Sequence, residues 1–130
     1  MSASLDFTAL QAIAGRARLA AHCAHCAALV CPGWESWPGS LDPKGFTPLG
    51  TLRPPEPREP HYREYHPDGT RYEAPDAPIA PGWHPYDQCD VIACPACERA
   101  FLRYTEYGGY YVDVRVRELD GALLVEAPLG

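Results

Sequence analysis

The distribution of proline constrains the fold of this 130-residue chain more than any other feature, since 13 of its 15 prolines lie between Pro32 and Gln88. Proline fixes φ and has no backbone N–H, so it is excluded from helix interiors and from central strands. Regular structure is therefore predicted before and after this segment. The segment also carries many aromatic side chains, which need a core for burial and favour an ordered wrap over disorder. These residues are Trp34, Trp37, Phe46, Tyr62, Tyr65, Tyr72, Trp83 and Tyr86.

One β-hairpin is predicted inside the proline-rich wrap, with strands at 61–65 and 70–73. The sequence His66-Pro67-Asp68-Gly69 between them suits a type I turn with glycine in the left-handed position. His61, Glu64 and His66 lie on this hairpin. Neighbouring arginines favour a solvated, salt-bridged surface there over an acid–base site.

The C-terminal part of the chain is predicted to form a three-stranded antiparallel meander. Alternation of apolar and polar residues around two glycine turns predicts strands at 99–107, 110–119 and 122–126. Pairing Tyr107 with Tyr110 across Gly108-Gly109 sets the register, and alternate residues then face opposite sides. One face is apolar apart from Arg103 and carries Phe101, Thr105, Val112, Val114 and Val116. The other face carries Leu102, Tyr104, Glu106, Tyr111, Asp113, Arg115 and Arg117.

Two C-x-x-C pairs lie on either side of the wrap, with 67 residues between their inner cysteines. The chain shows no readable secretion signal, so its six cysteines are expected to stay reduced, and a disulfide framework is the weaker interpretation. A two-residue gap lets one tight turn aim two sulfurs at one ion, and two such turns complete a tetrahedral shell. The sequence therefore predicts one structural Zn²⁺, with the ligands Cys23, Cys26, Cys94 and Cys97.

The residues around these pairs resemble the zinc-ribbon class, in which a Cys-Pro-x-Cys knuckle leads into a β-hairpin and a second knuckle lies elsewhere in the chain. The resemblance covers about 23–26 and 94–119. It implies that the zinc is structural and that the four knuckle cysteines are its ligands. The sequence departs from the class at Glu98, where glycine is usual, and in a first knuckle that follows a helical pattern rather than a strand.

Together these features predict an α+β fold in a single domain spanning residues 1–130. Phe7, Leu10 and Ile13 recur at the spacing of an amphipathic helix packed on a core. The predicted parts are the helix at 4–22, the first knuckle at 23–31, the wrap at 32–88, and the second knuckle with the β-meander at 89–130.

Five further residues are candidate ligands of the metal. Cys31 and Cys89 mirror the two pairs in spacing, so six thiolates can hold two zinc ions, or one of these cysteines can replace a knuckle ligand. The alternative is that both are small buried side chains, because free cysteine packs well. His22, His25 and His84 are also candidate ligands, but His22 and His25 extend the polar stripe of the predicted helix, which favours exposure.

The chain is predicted not to be an enzyme. A zinc ion with four cysteine ligands has no open position for water. The sequence contains neither the nucleobase-deaminase pattern nor His-Glu-x-x-His, Gly-x-Ser-x-Gly or a glycine-rich phosphate loop. Rubredoxin-like iron binding also uses two C-x-x-C knuckles, and it ranks below zinc.

Charge favours a protein partner over nucleic acid. The formal net charge is −6, whereas nucleic-acid binders normally show a basic excess. We expect a small cytoplasmic protein that binds another protein, and a bacterial toxin-immunity protein is the specific form of this expectation, because opposite charge steers association with a basic toxin or enzyme. The alternative is a zinc-ribbon nucleic-acid-binding or transcription-associated protein. No membrane association is expected, since the longest apolar run, 26–31, is too short to span a bilayer.

The polar face of the predicted meander is the candidate partner surface. It mixes aromatic residues with arginine, a composition enriched in interface hot spots. The predicted partner-binding residues are Tyr104, Glu106, Tyr111 and Arg115, with the two tyrosines as anchors. The alternative is that the wrap covers this face.

Overall fold

The computed structural model describes residues 4–17, 23–56 and 61–128, and it confirms a mixed α+β fold. Within these residues, one helix precedes a five-stranded antiparallel sheet with the strand order β1-β5-β4-β3-β2. The elements are α1 (Phe7–Ala14), β1 (Glu35–Ser36), β2 (Thr47–Thr51), β3 (Asp90–Ala93), β4 (Ala100–Tyr107) and β5 (Val112–Glu118). Short 3-10 helices lie at Ala24–Cys26, Pro43–Gly45 and Tyr86–Gln88. In this described part of the chain, no helix has the length and apolarity needed to cross a bilayer.

Helix α1 covers only part of the predicted span 4–22. Its start is fixed by Asp6, whose carboxylate accepts the backbone N–H of Ala9 at 2.8 Å and so caps the first turn. Residues 18–22, the last part of the predicted helix, lie outside the described residues. The apolar stripe is placed as the spacing predicts, since the buried residues of α1 are Leu10 and Ile13.

Strands β4 and β5 form the predicted hairpin with a register that differs by two residues. Tyr107 pairs with Val112 rather than with Tyr110. In the longer loop, the ring of Tyr111 lies over Gly108 and occupies the space that a Cβ at this position would need. The N–H of Gly108 donates to the carbonyl of Tyr111 at 2.8 Å and closes the loop. A shift of two residues keeps every side chain on its face, so the predicted face assignment holds.

The prediction of a third strand in the meander is wrong. The segment 122–126 contributes a single parallel bridge between Leu124 and Ile79 and does not join the sheet. The neighbour of β4 is instead β3, which precedes it in the chain. The turn through Cys94 to Cys97 connects the two strands, because Ala93 and Ala100 form the last pair of their ladder.

The predicted hairpin in the wrap is correct in its turn and wrong in its strands. Gly69 has φ of 78° and donates its N–H to the carbonyl of His66 at 3.1 Å, as the turn requires. The flanking segments form no strands among the described residues. Side chains hold them instead, because the two ring nitrogens of His66 bond to Thr70 at 2.7 Å and to Glu64 at 2.8 Å.

Both faces of the sheet are buried, and each contributes to a separate core. The first, which we name the cysteine-side core, consists of Cys26, Leu29, Cys31, Phe46, Ile92, Cys94, Cys97, Phe101 and Val116. The second, the wrap-side core, lies on the opposite face and consists of Leu10, Ile13, Trp34, Leu52, Ile79, Tyr86, Cys89, Val91, Ala100, Leu102, Tyr104, Leu119 and Leu124. The face that was predicted to be polar therefore supports the larger of the two cores.

Arg117 attaches the wrap to the wrap-side face of β5. Its side chain is fully buried, and its guanidinium donates to the carbonyls of Pro32 at 3.0 Å, Ala77 at 2.7 Å and Pro75 at 3.3 Å. It also donates to the hydroxyl of Tyr86 at 2.5 Å. Burial of a charged group is tolerated only when its donors are satisfied, and here carbonyls of the wrap satisfy them.

Candidate metal centre

The two C-x-x-C pairs lie in turns of different backbone structure. The first turn, Cys23 to Cys26, includes the 3-10 helix Ala24–Cys26. The second, Cys94 to Cys97, is the β3–β4 turn and is closed by the N–H of Glu98, which donates to the carbonyl of Cys94 at 2.9 Å. Glu98 adopts φ of 63°, the left-handed conformation that glycine tolerates best. The backbone at Glu98 therefore has the conformation that a glycine would adopt most easily, although the side chain differs.

The folded chain brings the sulfur atoms of these four cysteines together. All four Sγ atoms lie within 4.8 Å of one another. The separations are 3.7 Å between Cys23 and Cys26, 3.5 Å between Cys23 and Cys94, and 3.7 Å between Cys26 and Cys97. A tetrahedral zinc site with Zn–S bonds of about 2.3 Å requires sulfur–sulfur separations of about 3.8 Å. The same separations exceed the length of about 2.05 Å for a disulfide bond, and the cysteines are free.

The pKa values of three of the clustered thiols are shifted in opposite directions. The pKa of Cys23 is lowered to about 6, chiefly because the backbone N–H of Cys26 donates toward its sulfur. Burial raises the pKa of Cys26 and Cys94, since a thiolate loses hydration in the apolar surroundings. A divalent cation supplies the positive charge that stabilises all four thiolates together. The donor set thus fits a metal that prefers soft, anionic ligands.

The site is enclosed by the protein. Cys26, Cys94 and Cys97 are buried, and Cys23 is half-buried. The surrounding side chains are apolar and include Leu29, Phe46, Phe101, Trp37 and Leu41. Four protein ligands complete a tetrahedral shell, which is the arrangement of structural rather than catalytic zinc sites.

The other two cysteines lie outside this group. Cys31 belongs to the cysteine-side core, where its Sγ donates to the carbonyl of Leu29 at 3.5 Å. Cys89 lies in the wrap-side core, where its Sγ donates to the carbonyl of Pro85 at 3.3 Å. Burial raises the pKa of Cys31 to about 12 and that of Cys89 well above its ordinary value, so both remain neutral thiols. Their environment is that of small buried side chains.

Two of the three candidate histidine ligands, His25 and His84, also fall outside the cluster. His25 bonds through Nε2 to the carbonyl of Gly45 at 2.7 Å. His84 lies in the wrap, where its Nδ1 accepts from the amide of Gln88 at 3.3 Å. His22 lies outside the described residues. Among the described residues, only the four cysteines of the pairs form a group able to hold a metal.

The four predicted partner-binding residues differ in their exposure to solvent. Tyr104 was expected to be exposed, and this is wrong, because only 3% of it is accessible. Its ring packs edge-on against Trp34 at 5.0 Å, and its hydroxyl bonds to that of Tyr72 in the wrap. Tyr111 remains exposed at 53%. Glu106 and Arg115 are half-buried beneath it.

An exposed aromatic surface lies instead at the end of the β4–β5 hairpin. Residues 107–112, which we name the tyrosine tip, contain four of the six large apolar side chains that are exposed in the described chain. These are Tyr107, Tyr110, Tyr111 and Val112. The clustering of tyrosines around Gly108-Gly109 is visible in the sequence, but the predicted register placed Tyr107 and Tyr110 as an ordinary strand pair.

Comparison with protein-family models, curated proteins and solved structures gives no significant match for this chain. The likeness to zinc ribbons therefore rests on the four cysteines and on the hairpin that the second knuckle joins. The function is therefore inferred from the geometry of the cysteine group and of the tyrosine tip.

Proposed function

We propose that the chain is a small acidic interaction module whose fold is held together by one structural zinc ion. The ligands are Cys23, Cys26, Cys94 and Cys97. The observation that supports the metal is the cluster of their four sulfur atoms at separations suited to a tetrahedral ion. A shell of four cysteines has no open position for water, which favours a structural role for the ion, and we propose that the chain is a binding protein rather than an enzyme.

The observation that carries the interaction function is the tyrosine tip. Exposed clusters of large apolar side chains are uncommon on soluble proteins and often mark binding sites. Tyrosine is also enriched in interface hot spots, because it combines a large ring with a hydrogen-bonding hydroxyl. The tip belongs to the strand pair that the sheet and both cores support, so it is a surface on a stable element.

The charge of the chain supports a basic partner. The formal net charge is −6, and four thiolates with one divalent ion take it to about −8. Such a charge raises the rate of association with a positively charged protein. We propose a bacterial toxin-immunity protein as the specific form of this function, in which the module covers the basic site of a toxin.

Coexpression with the products of the flanking genes tests this function. A flanking product should be toxic alone, harmless together with this chain, and recovered with it as a stoichiometric complex. Affinity for that product should weaken as sodium chloride is raised, because charge steers the association. Binding to random duplex DNA with a steep salt dependence, and no binding to any flanking product, would establish the nucleic-acid alternative instead.

A further inference from the structure

We propose that the tyrosine tip docks on an arginine-rich surface of a protein partner, an inference that rests on the proposed interaction function. Guanidinium groups stack on aromatic faces and form ion pairs with carboxylates, whereas lysine offers only a compact charge. The end of the hairpin carries both kinds of group: Tyr107 lies on its cysteine-side face, and Tyr111 lies beside Glu106 on its wrap-side face.

The large apolar side chains of the tip are open to solvent. Tyr107 and Val112 form the last pair of the β4–β5 ladder, so they lie side by side on one face. They are 79% and 66% exposed. Tyr110 lies in the loop between the strands and is fully exposed. A partner can therefore reach the rings of Tyr107 and Tyr110 without displacing any part of the chain.

The loop that carries these rings is ordered by its own contacts. The ring of Tyr111 covers Gly108, and its hydroxyl donates to Glu106 Oε1 at 2.5 Å. The N–H of Gly108 donates to the carbonyl of Tyr111 at 2.8 Å. A surface that is ordered before binding loses little conformational entropy on association, which favours affinity.

The charged groups at the base of the tip leave an excess of negative charge. Glu106 and Asp113 face each other across β4 and β5, and both contact the guanidinium of Arg115, at 3.5 Å and 3.0 Å. Ser36 donates to Asp113 at 2.7 Å and holds that carboxylate in place. Two carboxylates share one cation, so the rim attracts a further positive group. Phosphate groups of nucleic acids or lipids meet repulsion from this rim and from the net negative charge.

The position of the tip keeps it independent of the metal centre. Cys97 precedes β4, and Tyr107 is the last residue of this strand, which begins at Ala100. The seven steps from Ala100 to Tyr107, at about 3.3 Å per residue, span about 23 Å. Substitutions at the tip are therefore expected to leave zinc content unchanged.

Two cationic peptides of equal charge test the inference. Fluorescein-labelled nona-arginine and nona-lysine are titrated with the zinc-loaded full chain at about 150 mM salt, and binding is followed by anisotropy. We expect nona-arginine to bind at least about fivefold tighter than nona-lysine. The double variant Tyr107→Ser with Tyr110→Ser should lose this preference. The control Tyr62→Ser removes an equally exposed tyrosine of the wrap and should retain it.

The outcomes separate the docking surface from the interaction function. Equal affinity for the two peptides, or a preference that survives the double variant, overturns the assignment of the tip. In that case, binding of a toxic flanking-gene product by both the wild type and the double variant would leave the interaction function intact. Tighter binding of a labelled nine-nucleotide poly(U) RNA than of nona-arginine would also overturn the proposal and identify the tip as a base-stacking surface.

Discussion

The two faces of the sheet are buried by different means. On the cysteine side, the core is apolar and contains five cysteine sulfurs, four of which form the group able to hold a metal. On the wrap side, the core contains the hydroxyls of Tyr104 and Tyr86 and covers Arg117, and these groups bond to one another or to the wrap. One face thus holds the candidate metal group, and the other is held by hydrogen bonds to the wrap. A polar residue pattern therefore predicts which side chains share a face of the sheet, but it does not predict whether that face is exposed.

The largest effect is expected from breaking the metal group on the cysteine side. A structural zinc site provides apparent binding free energy of about 10–16 kcal/mol, which is as large as or larger than the net stability of about 5–15 kcal/mol of a typical domain. Cys94→Ser should therefore unfold the chain, as measured by circular dichroism and thermal melting. Cys31→Ala removes a buried cysteine of the same core that is not a ligand, and it should still melt cooperatively with its metal retained. A Cys94→Ser protein that melts like the wild type would show that the metal does not hold the fold.

The next largest effect is expected from Arg117 on the wrap side. Arg117→Met leaves three carbonyls and the hydroxyl of Tyr86 without their donor. Each unsatisfied buried group costs about 1–3 kcal/mol, and relaxation of the wrap reduces the sum, so we expect a loss of about 3 kcal/mol in urea unfolding. Arg115→Met, two residues earlier on the same face, breaks only partly exposed ion pairs and should cost less than about 1 kcal/mol. Equal losses in the two variants would contradict the role of Arg117 in attaching the wrap.

A smaller effect distinguishes the buried tyrosine from the exposed one. Tyr104→Phe removes a hydroxyl that bonds to Tyr72 and should lower the free energy of unfolding by about 1 kcal/mol. Tyr111→Phe removes an exposed hydroxyl and should change it by less than about 0.5 kcal/mol. Chemical denaturation of both variants measures the difference. If Tyr111→Phe proved the more destabilising, the burial of Tyr104 under the wrap would be incorrect.

The smallest effect concerns pH and the wrap alone. Burial lowers the pKa of His84 below its ordinary value, although the nearby carboxylates of Asp87 and Glu64 oppose this. The imidazole of His84 therefore binds a proton more readily in the unfolded chain than in the folded chain. Protonation of His84 thus lowers the free energy of unfolding. The contribution of neutral His84 to stability is complete above about pH 6.5 and is lost as the pH falls through the folded pKa. His84→Gln should therefore flatten the acid side of the pH–stability profile, and an unchanged profile would exclude this cause.

The metal group was predictable from the sequence because its signal is local. The spacing within Cys23–Cys26 and within Cys94–Cys97 sets which sulfurs one turn can present, and the fold only has to bring two turns together. The faces of β4 and β5 were predictable for the same reason, since side chains alternate along a strand. The sequence departs from the zinc-ribbon pattern at Glu98, and the backbone of this residue takes the left-handed conformation that glycine usually adopts.

The remaining features depend on contacts between distant parts of the chain. The two-residue shift in register follows from the packing of Tyr111 over Gly108, which strand alternation does not encode. The burial of Arg117 follows from carbonyls of Pro32, Pro75 and Ala77, more than 39 residues away in the chain. A segment with many prolines has no periodicity from which its path can be predicted.

Native mass spectrometry of the purified chain, together with its cysteine variants, tests the central claim most directly. The account predicts one zinc ion per folded wild-type chain, and the same stoichiometry in Cys31→Ala and Cys89→Ala. It predicts loss of the ion in Cys23→Ser, Cys26→Ser, Cys94→Ser and Cys97→Ser. A folded wild-type chain that carries no metal, only iron, or two zinc ions that depend on Cys31 and Cys89 would contradict it.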